Sequence, residues 1–161
     1  MTVYSFEIHD HKSFREHFVK VAYDEFVADP VNSKKAIVFA MASCHLAEWV
    51  IQCDGQNLVA KRFLTSLDAT EASVNNAKGV LRKLLGVGYM CDIINGSKHA
   101  VLTRPHKVNS SAKVGAFSSA FSRDFDVVRL VFEVDGKQID FLEYAMQVMK
   151  NWDDFFAANI S

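Results

Sequence analysis

Two clusters of polar side chains stand out in a chain that is otherwise 50% hydrophobic. The first lies in YMCDIINGSKHAVLTR, Tyr89 to Arg104, where Asp92, Asn95, Lys98 and His99 follow one another at spacings of three, three and one. On a helix, Asp92, Asn95 and His99 (i, i+3, i+7) share one face, which could hold a phosphate or a polar network. The second cluster is His45, Glu48 and Gln52, again i, i+3 and i+7, flanked by Met41 and Trp49. A carboxylate beside an imidazole orients the ring and favours its charged form, so His45 and Glu48 could form an acid/base pair or bind a polar ligand. Both clusters also admit a structural role. Asn95-Gly96 is a helix stop signal, because glycine enters the left-handed C′ conformation without a Cβ penalty. A histidine and a glutamate on a buried helix can equally be a satisfied core network.

Composition narrows the chemistry. The net charge of −1 conceals five cations, Lys98, Arg104, Lys107, Lys113 and Arg123, in a stretch without an acid between Asp92 and Asp124, leaving the remainder at −6. Basic side chains there, with His99 and His106 among them, suit an anionic partner such as RNA, or else form a solvated loop balanced by acids elsewhere. Cys44, Cys53 and Cys91 form no CxxC pair. An odd count fits buried free thiols in a reducing, cytoplasmic compartment. No metal-ligand motif of the H-E-x-x-H kind occurs, and no glycine-rich phosphate loop, so neither a metal nor a cofactor is expected. The first residues, MTVYSFEIHDHK, lack the basic start and apolar run of a secretory signal. The apolar run Ala36 to Ile51 is shorter than the roughly 20 residues a membrane span requires, so no membrane association is expected.

The elements that position these residues follow from periodicity. Tyr4, Phe6 and Ile8 alternate as in a short strand. Ser13 to Glu16 has the S-x-x-E form of a capping box, and Phe14, Phe18, Val21, Ala22 and Phe26 continue one apolar stripe of a first helix. Asp29-Pro30 ends that helix and offers a cap and first position for a second, about Pro30 to Gln52. Apolar nearly all round, the second helix should be central, burying Phe39, Leu46 and Val50, with Phe18 packed from the first. Asp54-Gly55 closes it. Val59, Phe63 and Leu67 suggest a short third helix, and Asp68 to Glu71 caps a fourth that carries Val74, Ala77, Leu81, Leu84 and Leu85 to Gly86.

Beyond Pro105 the pattern alternates. Asn109 to Ala112 reads as a polar loop, Val114 to Phe121 as a weak strand, and Val127 to Val134 as a strong one with Val128, Leu130, Phe132 and Val134 on one face. Asp135-Gly136 is a type I′ hairpin signal. Leu142, Ala145, Met149, Trp152 and Phe156 line a closing helix that must cover the sheet. The expected fold is α+β and mainly α, with four to five helices, a small C-terminal antiparallel hairpin or sheet, and a closing helix. All 161 residues should form a single domain, its helical part in 1–104 and the hairpin with its closing helix in 113–161.

The helix with Cys44-His45-Leu46-Ala47-Glu48-Trp49, the segment Asp92 to His99, and Trp152 followed by Phe155-Phe156 resemble a family of small uncharacterised bacterial and phage proteins. More distantly, several helices with Asn-x-x-x-His near the end of the last resemble HEPN-type domains, helical dimers of toxin, defence and RNA-processing systems. Their catalytic motif is an arginine, a polar residue and then a histidine. Asn95 and His99 match the last two, while Ile94 stands where the arginine would be. The resemblance implies a homodimeric, metal-independent ribonuclease in which a ribose 2′-hydroxyl attacks the adjacent phosphate. His99 would be the general acid or base, Asn95 the orienting group, and Lys98 or Arg104 the substitute cation, with Asp92 on the same face. Because the arginine is missing, a noncatalytic module is the first expectation. It would bind a protein or small ligand through His45, Glu48 and the Asp92 to Arg104 region.

Overall fold

The computed structural model describes residues 6–52, 77–98, 109–114 and 128–160. The protein is mainly helical, with a small antiparallel sheet covered by a C-terminal helix. Several expected features lie outside the described residues: the short helix at Val59 to Leu67, the capping box at Asp68 to Glu71, the Asp54-Gly55 stop, and residues 115–121 of the weak strand. Residues 1–5 of the expected first strand do too. Within that strand, Phe6 and Glu7 form a turn, and Phe6 has a φ of 56°.

The first rod is built from α1 (His11–Phe14), a π-helical turn (Arg15–Val19) and α2 (Lys20–Ala28). It starts three residues earlier than the S-x-x-E pattern indicates. Asp10 is the cap: its carboxylate accepts from Ser13 N at 2.7 Å, and Ser13 Oγ accepts from Asp10 N at 3.0 Å. Ser13 is therefore the reciprocal partner in the box, and Glu16 instead pairs with Arg15 and Lys20. The π turn also corrects the apolar stripe. One extra residue per turn moves the inward face from Phe18 and Val21 to Val19. The buried series is Phe14, Val19, Ala22 and Phe26, while Phe18 is half-buried and Val21 is 47% exposed.

The central helix, α3 (Ser33–Gln52), is capped by Asn32 rather than by Asp29. Asn32 Oδ1 accepts from Lys34 N and Lys35 N, whereas the Asp29 carboxylate takes Asn32 Nδ2 and Lys35 Nζ. Phe39, Leu46 and Val50 are buried as expected. The helix packs against the first rod, both following helices and the closing helix, which explains why its apolar surface extends nearly all round.

Next come α4 (Ala77–Leu84) and α5 (Gly88–Lys98). Between them Gly86, at φ +71°, closes a Schellman motif in which Gly86 N donates to Lys83 O and Val87 N to Arg82 O. The Asn95-Gly96 stop signal is overridden, since α5 continues to Lys98. Met90 and Ile94 bury the inner face of α5 in the turns leading up to that point, and a helix anchored in this way runs on past one glycine, whose propensity cost is about 1 kcal/mol.

The sheet has the order β1 (Asn109–Val114), β2 (Val128–Val134), β3 (Lys137–Asp140), with both pairings antiparallel. Asn109 to Ala112, expected as loop, pair with Glu133 to Leu130. Asp135 and Gly136 both have positive φ, 50° and 76°, as a type I′ turn requires. Leu130, Phe132 and Val134 turn toward the core. Asp140 ends β3 and caps the closing helix α6 (Phe141–Asn159), accepting from Leu142 N at 2.9 Å and Glu143 N at 3.2 Å. Strand and helix thus join without a loop. The Phe132 ring meets those of Phe141 and Tyr144, so α6 covers the apolar face of a sheet too small to stand alone. Farther along, Trp152 is fully buried and packs edge-on against Phe155 and Phe156.

Candidate functional site

His45 and Glu48 sit one turn apart on α3, with His45 Nδ1 3.2 Å from Glu48 Oε2. Their side chains are 41% and 33% exposed, so the pair is not the buried network that an apolar helix suggests. It lies at the edge where α4 crosses α3. From α4, Lys78 Nζ reaches Glu48 Oε1 at 2.8 Å. One turn farther, Arg82 donates from Nε and Nη2 to the Cys44 carbonyl oxygen at 3.2 and 2.9 Å. The Lys78 ammonium, aided by His45, holds the Glu48 carboxyl below its ordinary range against the opposing effect of partial burial. Burial lowers the Arg82 pKa and Glu48 opposes it, but a guanidinium keeps its charge. Gln52, the third member of the sequence cluster, is exposed at the end of α3.

A covalent bond lies under this edge. Cys44 and Cys91 form a disulfide between α3 and α5, with their Cα atoms 5.6 Å apart. This corrects the expectation of three free thiols and removes the cysteine argument for a reducing, cytoplasmic setting. The close approach of two helices in a folded core brought together residues 47 apart in sequence, a pairing that spacing alone could not reveal. No described helix is long and apolar enough to cross a membrane.

On α5, Asp92 is half-buried and Asn95 exposed, and the unbroken helix between them places the two on neighbouring positions of one face. Lys98 is the last residue of α5. His99 and Arg104 lie outside the described residues, so the full Asp92 to Arg104 constellation is not assembled here. What comes together is a different set, His45 and Glu48 with Lys78 and Arg82. The latter two escaped the sequence reading. Their i, i+4 spacing between Ala77, Leu81 and Leu85 was the available signal: a basic edge beside an apolar stripe.

The junction before α5 is fixed from the far side by α6. Asn151 Nδ2 donates to Leu85 O at 3.0 Å, and the Tyr144 hydroxyl donates to Gly86 O. Burial raises the Tyr144 pKa strongly, which keeps the donating proton in place. Among the described residues no group of three His, Cys, Asp or Glu side chains converges as a metal site.

Comparison with protein-family models, curated proteins and solved structures returns no match.

Proposed function

We propose that the protein is a noncatalytic binding module that docks an acidic partner protein on the edge formed by α3 and α4. The observation that carries this reading is the engagement of Glu48 by both Lys78 and His45 on a half-exposed surface. A carboxylate held ionised by a lysine is a poor proton carrier near neutral pH, because catalysis favours a group whose pKa lies close to the working pH. It is, however, a good fixed point from which cations are presented. Lys78, Arg82 and Lys83 all come from α4, which has no acid between Ala77 and Leu84, and Lys83 is exposed. Such an edge favours an acidic surface by long-range attraction.

A labelled polyglutamate peptide serves as probe. Fluorescence anisotropy should show saturable binding that weakens with added salt and again in Lys83→Ala. Absence of binding at low ionic strength refutes the reading.

The ribonuclease alternative draws support from the continuity of α5, which keeps Asp92 and Asn95 on adjoining positions of one face. Labelled single-stranded RNA incubated with excess protein and a metal chelator tests it. Intact RNA is expected from the binding module, whereas cleavage that disappears in His99→Ala establishes the enzyme.

A further inference from the structure

The Cys44–Cys91 bond joins α3 to α5, and three observations set it apart from an inert crosslink. The two ends differ in access. Cys44 is only 7% exposed, whereas Cys91 is half-buried, so an incoming thiolate approaches from the Cys91 side. Positive groups lie close to both cysteines, beside the carboxylates of Glu48 and Asp92. Cys91 lies in the first turn of α5, where the N–H groups at the helix start place partial positive charge, and the Arg82 guanidinium rests on the Cys44 carbonyl. Nearby positive charge favours the thiolate that thiol–disulfide exchange requires or releases. Finally, α5 has other moorings. Asn151 and Tyr144 hold the Leu85 and Gly86 carbonyls just before it, and Met90 and Ile94 are buried on its inner face.

We propose that Cys44 and Cys91 form a reversible redox latch, opened by a dithiol reductant, which releases α5 from α3 while the chain stays folded. One thiolate of the reductant attacks Cys91 Sγ. The Cys44–Cys91 bond breaks, Cys44 Sγ leaves with the electron pair and takes a proton from solvent, and a mixed disulfide remains on Cys91. The second thiolate of the reductant then attacks its own sulfur in that mixed disulfide and expels the Cys91 thiolate, which is protonated in turn. The protein has gained two electrons and two protons, and the dithiol has become a disulfide. Thereafter α5 is no longer covalently tied to α3. The bond that ties the backbone beside Asp92 to the backbone beside His45 is then gone. This latch needs no partner to operate, so its test is independent of the binding reading.

The intact protein, purified without reductant, is alkylated before and after treatment with dithiothreitol in native buffer, and the modified cysteines are located by mass spectrometry. Hydrogen exchange is followed in both forms. Before treatment Cys44 and Cys91 should resist alkylation; afterwards both should react without denaturant. Amides of α5 should then exchange at least about tenfold faster while those of α6 keep their protection, since local opening is possible without global unfolding. The proposal is overturned if Cys44 and Cys91 are alkylated at the outset, or if reduction needs denaturant. Unchanged exchange in α5, or equal loss of protection in α6, overturns it too.

Discussion

Leu46→Ala tests the central place of α3. Leu46 has no exposed surface and lies on the helix that meets the first rod, α4, α5 and α6. The substitution removes three carbons from the core, and at about 0.8 kcal/mol per buried methylene the transfer contribution alone is about 2.4 kcal/mol. A cavity contribution adds to this to the extent that neighbours fail to collapse. Here α5 is tied to α3 by the disulfide only two residues from Leu46, and α4 by Arg82 on the Cys44 carbonyl, so relaxation is restricted. The loss should fall in the upper part of the range for such substitutions, roughly 3 to 5 kcal/mol. Urea unfolding of the oxidised protein, followed by far-ultraviolet circular dichroism, measures it. Leu84→Ala is the internal control. Leu84 is 54% exposed, and its substitution should change stability by no more than about 0.5 kcal/mol. A loss below about 1 kcal/mol at Leu46, or equal losses at the two positions, would refute the packing argument.

Two glycines separated by one residue should respond in opposite ways. Gly86→Ala forces a side chain into the left-handed region and should destabilise by about 1 to 2 kcal/mol, whereas Gly88→Ala, in the first turn of α5 with no atom within 4 Å of the added carbon, should be neutral or slightly stabilising; thermal unfolding compares them. Acid should weaken the α3–α4 edge. The folded-state pKa of Glu48 lies below its unfolded value, so its contribution is present above the unfolded value and is lost as pH falls through the folded one. Unfolding free energies measured down the acid limb should fall less steeply in Lys78→Gln than in wild type, and identical slopes would show that the ion pair does not couple to folding.

Features encoded by neighbouring residues were legible in the sequence. The positive-φ requirement at Asp135-Gly136 identifies the hairpin, and the buried run through Phe39, Leu46 and Val50 identifies the central helix. Local signals misled where a competing local signal or tertiary packing prevailed. Asp10 outcompeted Ser13 as cap because its carboxylate accepts from both the backbone N–H and the hydroxyl of Ser13. At Asn95-Gly96, a helix already anchored by the buried Met90 and Ile94 ran on past a glycine. The candidate site was half legible. His45 and Glu48 share a helix, so their spacing is a fact of sequence, but Lys78 reaches Glu48 across 30 residues and Cys91 reaches Cys44 across 47. Such pairings depend on how helices cross, which no local pattern encodes.

The π turn at Arg15–Val19 leaves the first rod with one residue more than a regular helix would use to bring Phe14 and Ala22 to the same face. A rod of this kind is asymmetric toward insertions and deletions. Losing one residue from the turn, for instance the exposed His17, relaxes it to ordinary α-helix and keeps the residues on either side facing the core. Gaining one has no such outlet and rotates everything beyond it by about 100°, carrying Phe26 away from Phe39 and Phe141. The extra residue thus gives this helix tolerance to change in one direction only.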